Sequence, residues 1–251
     1  GLNNGFDPSS TLTGSNVITL PDTVTELTNY ANQKCNGQDS VTLQTAFALS
    51  CNTAFVEMSE QIGADELRKY AKAFGVGENY DLGVSTSGGT LGDLPDGAAT
   101  AQSAIGQRDV TMTALQAAVM AGTVANKGTR MQPYLVNRIT DAQMKDVRTT
   151  KPKKADQAVN EETAATLTDL MYASERSSWG YDGNGFASKT GTAEHGEGLA
   201  PHVWYVAFDP ERDIAVGVVV KNGGNLGESA TGGKVSGPIG RAILRAYQGE
   251  Q

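Results

Sequence analysis

Two short polar stretches hold the residue types from which an acyl-transfer site could be assembled. One is Lys189-Thr190-Gly191-Thr192, set within Ala187-Ser188 and Ala193-Glu194. Lys189 supplies a cation, and Thr190 and Thr192 supply hydroxyls. Gly191 has no Cβ, so another chain or a ligand can lie against the backbone there. Read as an exposed strand, this stretch can pair with an extended peptide while its polar groups hold a carboxylate. The other stretch is Ser50-Cys51-Asn52. If that joint is non-helical, residues two apart face one side, and a proton-relaying hydroxyl shares a cleft with an amide able to hold a peptide carbonyl. A lysine opposite favours a deprotonated or strongly hydrogen-bonded serine oxygen. Such a cleft still needs a nucleophile.

Each stretch is common by itself. Ser-x-Asn is also a helix stop followed by an N-cap, and Lys-Thr-Gly is also a strand entering a turn. Only the two together, in this order, point to chemistry.

The elements that must position them can be read from periodicity. Leu43, Ala46, Phe47 and Ser50 share a helical face, so a helix from about 41 delivers Ser50 at its C-terminal end. Asn52 then caps a second helix with Phe55, Met58 and Ile62 on one face, and Gly63 stops it. A third carries Leu67, Tyr70, Ala71 and Phe74 and ends at Gly75 and Gly77. Lys189 belongs to a sheet of three sequential strands, 184–194, 203–208 and 214–221, with a turn over 209–213. A final helix over 236–247 is expected to lay Ile239 and Ile243 on one sheet face. Of Trp204 and Tyr205, neighbours on a strand, one should be core and the other can line the site.

Between these parts, 79–99 reads as a glycine-rich loop that either borders the cleft or makes a surface excursion. A helix over 113–126 opens with capping-box spacing at Thr113 and Gln116. A hairpin follows over 134–140 and 145–149, then a solvated basic linker at Lys151, Lys153 and Lys154, then a helix over 161–174 capped by Asn160. Gln107 and Arg108 suit either substrate contact or helix entry. The first forty residues read as an extended surface connector with one short strand near 17–20. The order is α+β: a helical cluster at about 41–130 and an antiparallel sheet portion at about 180–251.

Composition bounds the rest. A net charge of −8 without a long basic run argues against nucleic acid. No apolar run approaches the ~20 residues of a membrane helix. Cys35 and Cys51 either form a bridge, which implies an oxidising compartment, or are two separate thiols with Cys51 simply buried. His195, Glu197 and His202 could be drawn as metal ligands, but a polar loop between strands is full of such residues and is the better account; no metal and no cofactor are expected.

The flanks narrow the reading: Ala48-Leu49-Ser50-Cys51-Asn52-Thr53-Ala54-Phe55, Ile105-Gly106-Gln107, Thr192-Ala193-Glu194 and Trp204-Tyr205-Val206. Over about 42–247 the chain resembles the transpeptidase domain of class B penicillin-binding proteins, the peptidoglycan D,D-transpeptidases, and within them the penicillin-binding protein A group of actinobacteria. The resemblance implies the penicillin-binding/β-lactamase-like fold. It implies that Ser50 passes a proton to the departing D-alanine amine, that Asn52 binds the amide of a stem peptide or a β-lactam, and that Lys189 polarises Ser50. It places the substrate carboxylate on Thr190 and Thr192, half of the oxyanion hole on the Thr192 N–H, and the acyl chain beside Gly191. Implied partners are peptidoglycan stem peptides, β-lactam antibiotics and divisome proteins, at the extracytoplasmic face of the bacterial membrane under an anchored parent protein.

One family element is missing. None of the lysines has a serine three positions before it, so the Ser-x-x-Lys nucleophile is not in these residues. The expectation is a C-terminal portion of the domain, incomplete at its N-terminus and lacking two strands of the family's sheet, which alone neither acylates nor transfers. Competing expectations are a β-lactamase, distinguished by β-lactam hydrolysis, and a non-catalytic peptidoglycan or divisome interaction module.

Overall fold

The computed structural model describes residues 1–196 and 198–249. Its first forty residues are not a surface connector. They form β1 (Thr11–Thr13), β2 (Val17–Thr19) and β3 (Glu26–Thr28), and β4 (Ser40–Thr42) follows. β1 pairs antiparallel with β4, and β2 with β3. Leu12 and Cys35 are buried with Leu43, Ala46, Cys51 and Ala54, while Leu20 packs on Val56 and Ala101. Three-residue strands carry one inward side chain each, too few for an alternation to show in sequence.

Helix α1 (Leu43–Leu49) starts at Thr42, whose hydroxyl accepts from the Thr45 N–H, and ends at Ser50. α2 (Asn52–Ala73) is interrupted at Gly63, where φ is +76°. The expected stop is therefore a break between two helical halves. α3 (Gly97–Ala104) lies in what sequence read as loop and its continuation. It escaped because its buried face is Ala99, Thr100, Ala101 and Ser103, with no bulky stripe. Asp96 caps it, accepting from the Ala99 N–H at 2.7 Å. α4 (Ala114–Ala125) has the expected capping box at Thr113 and Gln116.

Then come β5 (Thr129–Met131), the hairpin of β6 (Arg138–Thr140) with β7 (Asp146–Thr149), and β8 (Lys154–Gln157). β8 pairs with β5, so Lys154 opens a strand rather than ending a linker. α5 (Glu161–Ser177) is capped by Asn160, which accepts from the Thr163 N–H at 2.8 Å.

The sheet that carries Lys189 consists of β9 (Ala187–Ala193), β10 (His202–Asp209) and β11 (Ile214–Val220). All pairs are antiparallel and the order is β11-β10-β9, which makes β9 an edge. One face, through Ala187, Val206, Phe208 and Ala215, packs on Ala121, Val124 and Met171 of α4 and α5. The other, through Phe186, Tyr205, Ala207 and Val216, packs on Leu244 of α6 (Ser236–Gly249).

α6 does not use the face expected of it. Ile239 and Ile243 are 45% and 44% exposed, and Gly237, Gly240, Arg241 and Leu244 turn inward instead. Gly240 lies so close to the Tyr205 ring that a Cβ there has no room. The helix is oriented by that close approach and by the charge of Arg241, which outweigh the exposure of two isoleucines. Tyr205 is the core member of its pair. Trp204 faces the opposite way, opposite Gly191 in register, and a Cβ on Gly191 would come 3.2 Å from the Trp204 Cβ. Helices against an antiparallel sheet make the fold α+β, as expected.

Candidate active site

Ser50 sits at the C-cap of α1 with φ +58°, a left-handed conformation that few non-glycine residues adopt. It is held there through its neighbour Cys51. The Cys51 N–H donates to the Ala46 carbonyl at 3.0 Å, and Cys51 forms a disulfide with Cys35. Of the two readings of the cysteines, the bridge is the one realised. The joint is extended at Cys51, so Ser50 and Asn52 flank a non-helical break as the spacing suggested. Asn52 begins α2, and its amide donates to the Thr28 carbonyl at 3.1 Å.

Across from them, Lys189 lies on the same sheet face as Gly191 and Trp204. Its ammonium donates to the Ser50 hydroxyl, although the two residues are 139 positions apart. It also donates to the Thr190 carbonyl at 2.9 Å and lies 5.8 Å from the centre of the Phe47 ring. The side chain is half-buried between the sheet face and the Ser50 joint. Desolvation there pushes the pKa down to about 8. Thr190 and Thr192 are in register with Tyr205 and Val203 and belong to the α6 face. The Thr192 hydroxyl accepts from the Gly232 N–H at 3.3 Å. Cation, glycine gap and hydroxyls therefore border one unpaired strand edge from its two faces.

Beneath that edge lies a buried charge cluster that the sequence reading missed. Glu175 of α5 is fully buried and accepts from four donors. Arg241 Nε donates at 2.6 Å and Asn184 Nδ2 at 2.9 Å to one oxygen; the Ser188 hydroxyl and Tyr205 Oη at 3.0 Å donate to the other. Burial alone would raise the Glu175 pKa. The hydrogen bonds from Arg241, Ser188 and Asn184, together with the charge of Arg241, outweigh it and hold the carboxyl below its usual value. Ser188 immediately precedes Lys189. One carboxylate thus ties α5, β9, β10 and α6 together behind the cleft. A signal did exist: Glu175 stands four positions after Met171 on the apolar stripe of α5, and Arg241 three before Leu244 on that of α6.

Other candidates are not brought together. Arg108 has φ +62° and donates to the Asp93 carbonyl, so it fastens the loop before α3. The rings of His195 and His202 stack at 4.0 Å, but His195 Nε2 bonds the Ala200 carbonyl and His202 Nδ1 accepts from the Asn222 N–H. Glu197 lies outside the described residues. Among the described residues no three His, Cys, Asp or Glu side chains converge on a common point suited to a metal.

This cleft can be set beside known proteins. The family model of the penicillin-binding protein transpeptidase domain matches residues 1–245. The chain belongs to that family. Peptidoglycan D,D-transpeptidase PbpA of Mycolicibacterium smegmatis is 43% identical over 98% of this chain and 52% of its own length. Its namesake in Mycobacterium tuberculosis is 41% identical over 98% of this chain and 52% of its own length. The solved ceftriaxone acyl-enzyme complex of penicillin-binding protein A from M. tuberculosis superposes with a TM-score of 0.93 at 40% identity, covering 98% of this chain and 57% of that one. The chain therefore spans about half the length of the curated relatives it matches. Membership fixes the transpeptidase fold. Among the described residues, no helix is long and apolar enough to cross a membrane.

Proposed function

We propose that this chain forms the cleft of a serine-type D,D-transpeptidase that cross-links peptidoglycan stem peptides and is acylated by β-lactams. The contact between Lys189 and Ser50 carries the reading, because it joins two motifs distant in sequence into one polar groove. In the proposed reaction a serine oxygen attacks the carbonyl of the penultimate D-alanine. The bond to the terminal D-alanine breaks, and an acyl ester forms. A second amine then attacks the ester and releases the serine. Ser50 passes a proton to the departing amine, and Lys189 polarises Ser50. A lysine with a pKa near 8 is better poised for proton traffic near neutrality than one at its ordinary value. Asn52 holds the substrate amide, Thr190 and Thr192 the carboxylate, and the Thr192 N–H half of the developing oxyanion. Losing such a donor costs ~10²–10³ in rate. Gly191 leaves space for the acyl chain.

The attacking serine is assigned to a Ser-x-x-Lys segment outside these 251 residues, since none lies within them. Incubating the full-length protein and the 251-residue chain with a penicillin tests this. A stable mass adduct on the former and none on the latter is expected. An adduct on the short chain, none on either, or rapid hydrolysis of the penicillin would overturn the assignment. The disulfide supports a place outside the reducing cytoplasm, at the extracytoplasmic face of a bacterial membrane. Protease accessibility on intact cells tests the location. Crosslinking in dividing cells tests divisome partners, whose absence from the products would remove them from the proposal.

A further inference from the structure

The conformation of Ser50-Cys51-Asn52 is strained at Ser50, and helix α2 begins without a cap of its own: Cys51 occupies the N-cap and offers no side-chain acceptor. The first amides of a helix need partners from elsewhere. Here the partner comes from a residue 24 positions upstream. Asn29 follows β3 and is 7% exposed. Its side-chain oxygen accepts from the N–H of Thr53, the second residue of α2, at 3.0 Å. Its amide hydrogens go to the Ser15 carbonyl at 2.9 Å and the Gln33 carbonyl at 3.2 Å. Thr53, wholly buried, returns a hydroxyl hydrogen bond to the same Ser15 carbonyl at 2.9 Å. The segment held in this way does two further things. Its Thr28 carbonyl takes one amide hydrogen of Asn52, and its Cys35 is bridged to Cys51.

We propose that Asn29 is the positioning residue of this cleft wall: it caps α2 from outside the helix and thereby sets where the Asn52 carboxamide and the Ser50 hydroxyl face the groove. With one amide hydrogen spent on Thr28, Asn52 keeps its oxygen and its second hydrogen free for a ligand among the described residues. The angle at which it presents them depends on how Thr28 is held, and Thr28 is the neighbour of Asn29. Asn29 touches no substrate. It acts through Asn52 and Thr53, and a shift of this wall by about an ångström is enough to slow a positioned reaction by up to ~10²-fold.

The proposal rests on the transpeptidase reading, so the test separates the two. In the full-length protein, Asn29→Ala is expected to slow acylation by a fluorescent penicillin about tenfold. A control of matched thermal stability, Val159→Ala in the buried packing beside Gly128, should acylate within about twofold of wild type. Asn29→Asp keeps the acceptor for Thr53 but turns a carboxylate oxygen on the Ser15 and Gln33 carbonyls, so it should not restore the acylation rate. In the same full-length protein, Asn29→Ala should speed hydrogen exchange at the Thr53 amide and shift the Asn52 carboxamide signals in NMR, and Val159→Ala should do neither. Equal acylation of Asn29→Ala and the matched control would overturn the proposal, as would unchanged Thr53 exchange. If wild-type full-length protein is not acylated at all, the transpeptidase reading fails. The exchange and NMR results then decide alone whether Asn29 positions Asn52.

Discussion

The two walls of the cleft are fastened by different kinds of bond. The wall bearing Ser50 and Asn52 is held by a disulfide and by neutral hydrogen bonds from residues 15–35. The wall bearing Lys189 is held from behind by a buried carboxylate with four donors, one of them a guanidinium. The first should answer to reductant and ignore acid. The second should answer to acid and ignore reductant. A site built this way keeps its geometry only where the medium is both oxidising and not strongly acidic.

The largest effect is expected at Glu175. Glu175→Ala leaves Arg241 buried without its counter-charge, and one Arg241 nitrogen already lacks a partner among the described residues. Breaking such a pair costs about 3–5 kcal/mol, measurable by urea unfolding. The sign with pH follows from the depressed carboxyl. Its stabilisation is present above the unfolded value, near 4.5, and is lost as pH falls through the lower folded value. Wild type should therefore weaken on that acid limb, and Glu175→Ala should lack the step. A loss below about 1 kcal/mol would show that the ion pair does not hold this wall.

Opening the other wall should cost somewhat less. Cys35 and Cys51 are 16 positions apart, and a loop of that size stabilises by about 3 kcal/mol through the unfolded chain. Cys35→Ser should lower the unfolding free energy by that order and leave the acid limb of Glu175 in place. If reduction instead erased the acid limb, the two walls would be one cooperative unit and the contrast would collapse.

The sequence displays these walls unequally. The meeting of Ser50 with Lys189 was legible because motif, order and flanks agree, and the helices of 41–73 because their stripes are long. The supports were not. Asn29 looks like any turn residue until Thr53 is seen beside it, and a hydrogen bond between positions 24 apart leaves no periodic trace. Glu175 and Arg241 are each plausible on a solvated helix face; only the pairing, 66 positions apart, shows why both can be buried. α3 was invisible because small residues pack closely without forming an apolar stripe. The face of α6 was misassigned because two isoleucines outweighed two glycines on paper, whereas in the fold the glycines admit the Tyr205 ring. What packs by absence of side chain, or by paired charge, is hard to see one residue at a time.

Lys189 itself offers a gentler way to compare the walls, since it crosses from one to the other. Its folded pKa of about 8 lies below the 10.5 of an ordinary lysine. Below pH 8 both states are protonated and the folded state bears the cost of a desolvated charge. Between about 8 and 10.5 the unfolded chain binds the proton that the folded chain has released, so stability rises with pH. Lys189→Met should remove that rise and stabilise the protein near pH 7 by roughly 1–2 kcal/mol, after discounting for the half-exposed side chain. Thermal unfolding of both proteins across pH 7–11 measures it. Equal slopes would mean the ammonium is solvated and the bridge to Ser50 is not a feature of the folded state.

The smallest effect is expected where the sequence reading placed a core. Ile243 is 44% exposed on α6, one position before the fully buried Leu244. If α6 holds the Lys189 wall through Leu244 and Arg241, Ile243→Ser should change stability by no more than about 0.5 kcal/mol, as at other exposed sites. Leu244→Ala should cost about 2–5 kcal/mol because a cavity opens under Tyr205. The pair of measurements is sensitive to rotation of the helix, since adjacent positions differ by about 100° around its axis. A cost at Ile243 approaching that at Leu244 would mean that another part of the folded protein covers this face. The Lys189 wall would then be clamped from both sides of α6, and its dependence on the Glu175–Arg241 pair would be correspondingly weaker.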